Sequence, residues 1–117
     1  MAIKKMTVFV KAEYLIDYTF QMTDNTNRYG KKHRFTFVDR MQNLVLDIYS
    51  KLVKSNQLPL NERKQLQVDA ISDMEVLLAL IEISLQRGFI DGDQCERWAS
   101  KVMDVKNLTG GWLKRSK

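Results

Sequence analysis

Apolar side chains recur at steps of three and four residues in four separate segments of this 117-residue chain. This spacing places them on one face of an α-helix, so it restricts the possible folds more than any other feature of the sequence. The first repeat predicts a helix over residues 7–28. Its opening, Thr7 to Val10, is β-branched and aromatic and fits a short strand equally well. The apolar positions of this repeat are Tyr14, Leu15, Tyr18 and Met22.

The second repeat predicts a helix over residues 36–56. Thr36 is the expected N-cap, and Asp39 then lies near the positive end of the helix dipole. The segment that ends in Pro59 is expected to stop this helix. Its apolar stripe consists of Phe37, Met41, Leu44, Ile48 and Leu52.

Two further helices are predicted over residues 61–87 and 91–114. Asn61 is the expected N-cap of the third helix, Gly88 its C-terminal stop, and Asp91 or Asp93 the start of the fourth. The third apolar seam is Ile71, Met74, Leu78, Ile81 and Leu85. The fourth is Cys95, Trp98, Val102, Val105, Thr109 and Trp112.

The length of the chain fits one domain over residues 1–117. Short connections make consecutive helices antiparallel neighbours, so the expected fold is an all-α, antiparallel up-down-up-down four-helix bundle. The longest apolar runs are far shorter than the roughly 20 residues of a membrane span. The N-terminal segment lacks the apolar region of a signal peptide, which predicts a cytoplasmic protein.

The formal net charge is +5, and the basic excess is unevenly distributed. Residues 1–60 contain ten basic and five acidic side chains, residues 61–100 contain four and eight, and residues 101–117 contain five and one. In the expected bundle, one end would collect Lys4, Lys5, Lys51, Lys54, Arg63, Lys64, Lys114, Arg115 and Lys117. Such a surface attracts phosphates without reading bases. The alternative interpretation is that these side chains only solvate a small protein.

No catalytic constellation emerges from the sequence. His33, the only histidine, stands among cations and has no neighbouring carboxylate to orient it. Cys95 lies on an apolar seam, where a small hydrophobic role is the common one. Asp69 and Asp73 form an i,i+4 carboxylate pair, but a solvated acidic face, or a contact for a basic neighbouring subunit, explains them better than a metal site. We therefore expect no enzymatic activity and no cofactor.

Aromatic residues are concentrated in two regions. Phe35 and Phe37 lie near the first loop, where packing beneath the loop is more expected than stacking on bases. Trp112 follows Gly110 and Gly111, two poor helix formers that indicate close approach of another backbone.

Two short stretches resemble the accessory variability determinant (Avd) family of diversity-generating retroelements. The first stretch is Lys32-His33-Arg34-Phe35-Thr36-Phe37 followed by Asp39-Arg40. It is similar to the motif with which the family enters its second helix. The apolar stripe from Leu44 to Ile48 follows this stretch and is also similar to the family pattern. The second is Gly110-Gly111-Trp112-Leu113-Lys114, which is similar to the family's closing signature. The similarity in helix order extends over nearly the whole chain.

The resemblance implies a four-helix bundle that assembles into a homopentamer. It also implies binding to a reverse transcriptase and to its template RNA or cDNA during mutagenic reverse transcription, without catalytic residues. The residues expected to contact nucleic acid or a partner are Lys31, Lys32, Arg34, Arg40, Lys51, Lys54, Lys114, Arg115 and Lys117. The residues expected to have a structural role in the motifs are Phe35, Phe37, Gly110, Gly111 and Trp112.

Two alternatives remain open from the sequence. The proteins encoded by intervening sequences in bacterial 23S ribosomal RNA genes share the fold and much of the pattern. The other alternative is a structural module that binds a protein through an apolar groove and does not bind nucleic acid. A metal-dependent enzyme that uses Asp69 and Asp73 is a distant third.

Overall fold

The computed structural model describes residues 6–115, which contain helices and no strand. The α-helices are α1 (Thr7–Asp24), the short α2 (Thr26–Tyr29), α3 (Asp39–Gln57), α4 (Lys64–Gln86) and α5 (Gly92–Arg115). Between them lie two 3₁₀ turns, Lys31–His33 and Leu60–Glu62, and a π-helical turn, Arg34–Val38. Helices α1 and α4 each pack against both α3 and α5, so α1 and α4 occupy diagonal positions around a shared core.

All four predicted helices are present, and the segment from Thr7 to Val10 is helical, so the strand alternative was wrong. The first helix is shorter than predicted. It ends at Asp24 because Asn25 adopts an extended conformation, with φ −77° and ψ 105°. The Asn25 side chain accepts a hydrogen bond from the backbone N–H of Asn27 at 3.0 Å, which starts the separate helix α2.

The predicted helix ends are correct at α5 and at the end of α4. Asp91 and Gln94 form a reciprocal capping box, with bonds of 2.8 and 2.9 Å. Gly88 follows α4 with φ +79°, as a C-terminal stop requires. The two other predicted caps were wrong. Thr36 lies inside the π-helical turn and donates to the carbonyl of His33 at 3.4 Å, and Asn61 lies in a 3₁₀ turn before α4.

The core contains most of the predicted stripes of α3 and α5. In α3 the buried positions include Met41, Leu44, Ile48 and Leu52, and in α5 they include Trp98, Val102, Val105, Thr109 and Trp112. Helix α1 buries Leu15 and Met22 as predicted. Tyr14 was predicted to be buried but is 57% exposed, and the buried positions of α1 include Ala12 instead.

The predicted seam of α4 was wrong in part. Met74 and Ile81 are buried, but Leu85 is exposed and Leu78 is half-buried. The buried face of α4 is rotated and consists of Gln67, Ala70, Met74, Leu77, Ile81 and Ser84. Apolar residues occur on every side of this helix, so periodicity alone selected the wrong set.

Two hydrogen bonds between buried side chains connect distant helices. The indole Nε1 of Trp98 in α5 donates to Thr19 Oγ1 in α1 at 2.9 Å. The hydroxyl of Tyr29 donates to Ser84 Oγ in α4 at 2.9 Å, and Ser84 donates in turn to the carbonyl of Leu80. Gln67 is different, because its buried side-chain amide has no hydrogen-bond partner among residues 6–115.

The buried hydroxyl of Tyr29 predicts a loss of stability at high pH. Burial raises the pKa of Tyr29 from 10.0 to about 12. The unfolded chain therefore releases this proton at lower pH than the folded chain, and the free energy of unfolding should fall between pH 10 and 12 by up to about 2–3 kcal/mol. Urea unfolding of the wild type and of Tyr29→Phe at pH 9, 10.5 and 11.5 checks this. The free energy of unfolding of the wild type minus that of Tyr29→Phe should fall by about 2 kcal/mol between pH 9 and pH 11.5, and a constant difference would contradict the assignment.

Candidate nucleic-acid interface

Arg63 connects three helices at one end of the fold. Its Nε donates to the carbonyl of Leu58, just after α3, at 2.7 Å. Its guanidinium lies over the ring of Trp112 in α5, 5.9 Å from the ring centroid. Trp112 in turn contacts Phe9 near the start of α1, edge to face, with centroids 6.2 Å apart. The residues around Arg63 and Trp112 therefore belong to the same end of the molecule.

Five cations at this end form what we call the tail-end patch. Four of them are exposed, and Arg63 is half-buried by its contacts. Glu62 is the only acidic residue in the segments 50–64 and 108–115 at this end. The first turns of α1, at the same end, add Glu13, which accepts a hydrogen bond from Tyr49, so the positive charges still outnumber the negative ones. The patch consists of Lys54, Arg63, Lys64, Lys114 and Arg115. Lys117, Lys4 and Lys5, also predicted here, lie outside the described residues.

Lys51 differs from the other predicted binding residues. Its ammonium forms an ion pair with the carboxylate of Asp73 in α4, and both side chains are partly shielded from solvent. This pair holds α3 to α4 and offsets the charge of Lys51. Nothing in the sequence signals the pair, because its partners are separated by 22 residues.

An aromatic cluster packs against the inner side of the segment between α2 and α3. Phe89 lies at its centre, with ring centroids 4.9 Å from Tyr29, 5.4 Å from Phe37 and 4.7 Å from His33. Val38, the last residue of the π-helical turn, is buried as well. The turn is therefore anchored at its C-terminal part and cannot move freely away from the core.

Four cations surround this turn, and all are exposed; we call them the loop patch. They are Lys31, Lys32, Arg34 and Arg40. None forms an ion pair with a carboxylate within residues 6–115. Phe35 lies among them and is 82% exposed, so it does not take the packing role that the sequence predicted. Each residue of a π-helical turn is rotated less than in an α-helix, which separates Phe35 from the buried direction of Phe37 and Val38.

The paired glycines do not mark a close backbone contact within this chain. A Cβ at Gly110 would meet no atom within 4 Å, and at Gly111 it would meet only the side chain of Arg115, at 3.6 Å. The prediction of close approach was therefore wrong for residues 6–115. Trp112 itself is buried.

Two side chains with reactive groups, His33 and Cys95, have shifted pKa values. Desolvation, followed by the charges of Lys32 and Arg87, lowers the pKa of His33. Desolvation, followed by the charge of Glu82, raises the pKa of the Cys95 thiol, which keeps the thiol protonated. Asp69 accepts a hydrogen bond from Gln65 at 2.9 Å. Within residues 6–115, no three acidic, histidine or cysteine side chains are grouped to hold a metal ion.

Two apolar surfaces face outward. A groove between α1 and α3 is lined by Ile16, Phe20 and Leu46, with Glu13 and Asp17 at its rim. A strip on α4 exposes Val68, Val76 and Ile83. Because α1 and α4 are diagonal, the groove and the α4 strip lie on different sides of the molecule. Of the strip residues, only Val76 belongs to the apolar run from Val76 to Ile81, so this run did not signal the strip as a whole.

None of the helices within residues 6–115 combines the length and the apolar character needed to cross a bilayer. No known protein family, curated protein or solved structure was found to match this chain.

Proposed function

We propose that this chain is a non-catalytic accessory protein of a diversity-generating retroelement. It acts in the cytoplasm as a basic oligomeric adaptor that binds the reverse transcriptase and the template RNA or cDNA. The observation that carries this proposal is the tail-end patch, which groups cations from α3, α4 and α5 that outnumber the nearby carboxylates. Clustered cations bind phosphates by releasing counterions and do not need to read bases.

The proposal includes an antiparallel up-down-up-down arrangement of α1, α3, α4 and α5. Two aromatic pairs support it. Phe9 near the start of α1 contacts Trp112 near the end of α5, and Tyr18 in the second half of α1 contacts Trp98 near the start of α5. This arrangement is what collects the tail-end patch from helix ends that are distant in sequence.

The proposal also includes a homo-oligomer, which we take to be a pentamer from the resemblance. A closed ring with more than two subunits joins each copy head to tail, so every copy must offer two different surfaces. The groove between α1 and α3 and the strip on α4 meet this requirement, since both are apolar and they lie on different sides. Five copies would also multiply the charge of the patch, which makes binding strongly dependent on salt.

The experiment is RNA binding by fluorescence anisotropy, over a range of salt concentrations, for the wild type and for Lys114→Ala/Arg115→Ala. We expect the double variant to bind at least about tenfold more weakly and to show a shallower salt dependence. Lys101→Ala/Lys106→Ala is the control for net charge, because it removes two positive charges from α5 away from the tail-end patch. Lys106 is ion-paired with Glu75, so the melting temperature of this variant is measured as well. The control should bind within about twofold of the wild type.

Two results would overturn the proposal. If the wild type binds no RNA at low salt, the chain is not a nucleic-acid adaptor, and the apolar surfaces then favour the protein-binding module. If both double variants weaken binding equally, the effect follows net charge and the tail-end patch is not the site. Light scattering with and without RNA gives the mass of the assembly in the same samples.

A further inference from the structure

Phe35 is the most exposed large apolar side chain in the described part of the molecule, at 82%. It is also held in place, because the same π-helical turn places Phe37 against Phe89 and buries Val38. Gly30, with φ +75°, and the 3₁₀ turn that follows connect this turn tightly to α2. The phenyl ring is therefore presented to solvent on a preorganised backbone.

The surroundings of Phe35 are cationic. The exposed side chains next to it in sequence are Lys31, Lys32, Arg34 and Thr36. The nearest acidic residues are Asp24, which lines a small pocket with Lys31 and Arg34 and accepts a hydrogen bond from Gln42, and the half-buried Asp39, so the cations outnumber the carboxylates. The centres of protein interfaces are enriched in aromatic residues and arginine but depleted in lysine. Phe35 and Arg34 fit that composition, but Lys31 and Lys32 do not. An exposed ring among several cations fits single-stranded nucleic acid, whose bases stack on aromatic rings while cations hold the phosphates.

We propose that Phe35 is a stacking platform for an unpaired base of single-stranded nucleic acid. Lys31, Lys32, Arg34 and Arg40 hold the phosphates on either side of that base. This site rests on the proposed function, because it gives the adaptor a preference for unpaired over paired template. The preference does not depend on sequence, since every base offers a flat face for stacking.

The site differs from the tail-end patch in what it can distinguish. The tail-end patch attracts phosphates of single and double strands alike. A base inside a duplex is already stacked on both sides, so an external ring gains contact only with an unpaired base. The two patches together would hold a structured RNA by its backbone and select its unpaired segments.

The test measures the affinity of the full chain for a 12-nucleotide oligouridylate, for an oligothymidylate of equal length and for a 12-base-pair RNA duplex. Phe35→Ala should weaken binding to the single strands by about 5- to 100-fold and leave duplex binding within about twofold. Phe35→Tyr should retain the affinity. Phe35→Leu is the matched control for apolar contact without a flat ring, and it should behave like Phe35→Ala. Because position 35 is exposed, all three variants should keep the melting temperature of the wild type.

Several outcomes would overturn the stacking site. Retained affinity in Phe35→Leu would show that apolar contact suffices, and equal losses for duplex and single strands would show that no base is read. Unchanged nucleic-acid binding in Phe35→Ala with a lower assembly mass would assign Phe35 to a protein contact. None of these outcomes changes the test of the tail-end patch with Lys114→Ala/Arg115→Ala, so the stacking site can fail while the proposed function holds. If the wild type binds none of the three probes, the proposed function fails as well. If Phe35→Ala loses affinity for oligouridylate but not for oligothymidylate, the stacking site is specific for RNA and the proposal for single-stranded DNA is wrong.

Discussion

Replacing Trp98 with alanine should lower the free energy of unfolding by about 3–5 kcal/mol. The side chain is fully buried, contacts Tyr18 edge to face at 6.3 Å and donates its only N–H to Thr19. The substitution therefore removes a large ring from the core and leaves a cavity. A chain of this size is stabilised by about 5–15 kcal/mol in total, so the variant should be close to unfolded at moderate urea concentration.

Two further variants separate the cavity from the hydrogen bond of Trp98. Thr19→Val keeps the volume but leaves the indole N–H without its acceptor, which should cost about 1–3 kcal/mol. In a Trp98→Phe background the same Thr19 substitution should cost much less, because no buried donor remains. Met103→Ala on the exposed side of α5 should change stability by less than about 0.5 kcal/mol. Urea unfolding at one fixed protein concentration checks all of these, and a loss below 1 kcal/mol in Trp98→Ala would contradict the core position.

Val76→Glu should dissociate the proposed assembly into monomers. Val76 is 41% exposed at the middle of the α4 strip, and a glutamate there would be buried without a partner when the groove of the next copy covers this strip. Leu46→Glu in the groove between α1 and α3 should have the same effect, since it disables the opposite contact of a head-to-tail ring. Met103→Glu is the matched control, because Met103 is 38% exposed on α5 and belongs to neither surface. Light scattering should give the wild-type mass for the control.

A mixture of the two dissociated variants gives the sharper result. The Val76→Glu chain retains its groove, and the Leu46→Glu chain retains its α4 strip, so one contact can form between them and no further copy can join. The mixture should therefore give a species of twice 13.7 kDa and no larger one. If the mixture remains monomeric, the two surfaces do not pair with each other. A wild type that is monomeric at all concentrations would refute the oligomer itself.

The elements that were predicted well are those with a clear difference between their faces. In α3 and α5 the apolar stripes are narrow and the other faces are charged, so the three- and four-residue steps identified the buried positions. Asp91 and Gly88 were predicted correctly because a capping carboxylate and a left-handed glycine act through the local backbone. These signals do not depend on distant parts of the chain.

The features that were missed depend on contacts between residues far apart in sequence. Gln67 is buried and Leu85 exposed because α3 and α5 select which side of α4 faces the core, and α4 has apolar residues on all sides. Lys51 is paired with Asp73 because two helices bring them together. The exposure of Phe35 follows from a π-helical turn, which no spacing in the sequence predicts.

The sequence by itself determined that the chain is helical, where its long helices lie and which ends of them are basic, since all of these follow from local periodicity, backbone capping and charge. Only the tertiary structure decided the rotation of α4, the contact of Arg63 with Trp112 and the exposure of Phe35. The physical reason is that burial is a property of neighbours. The apolar area of a side chain sets the free energy that its burial would contribute. The packing of other helices decides whether that side chain is buried.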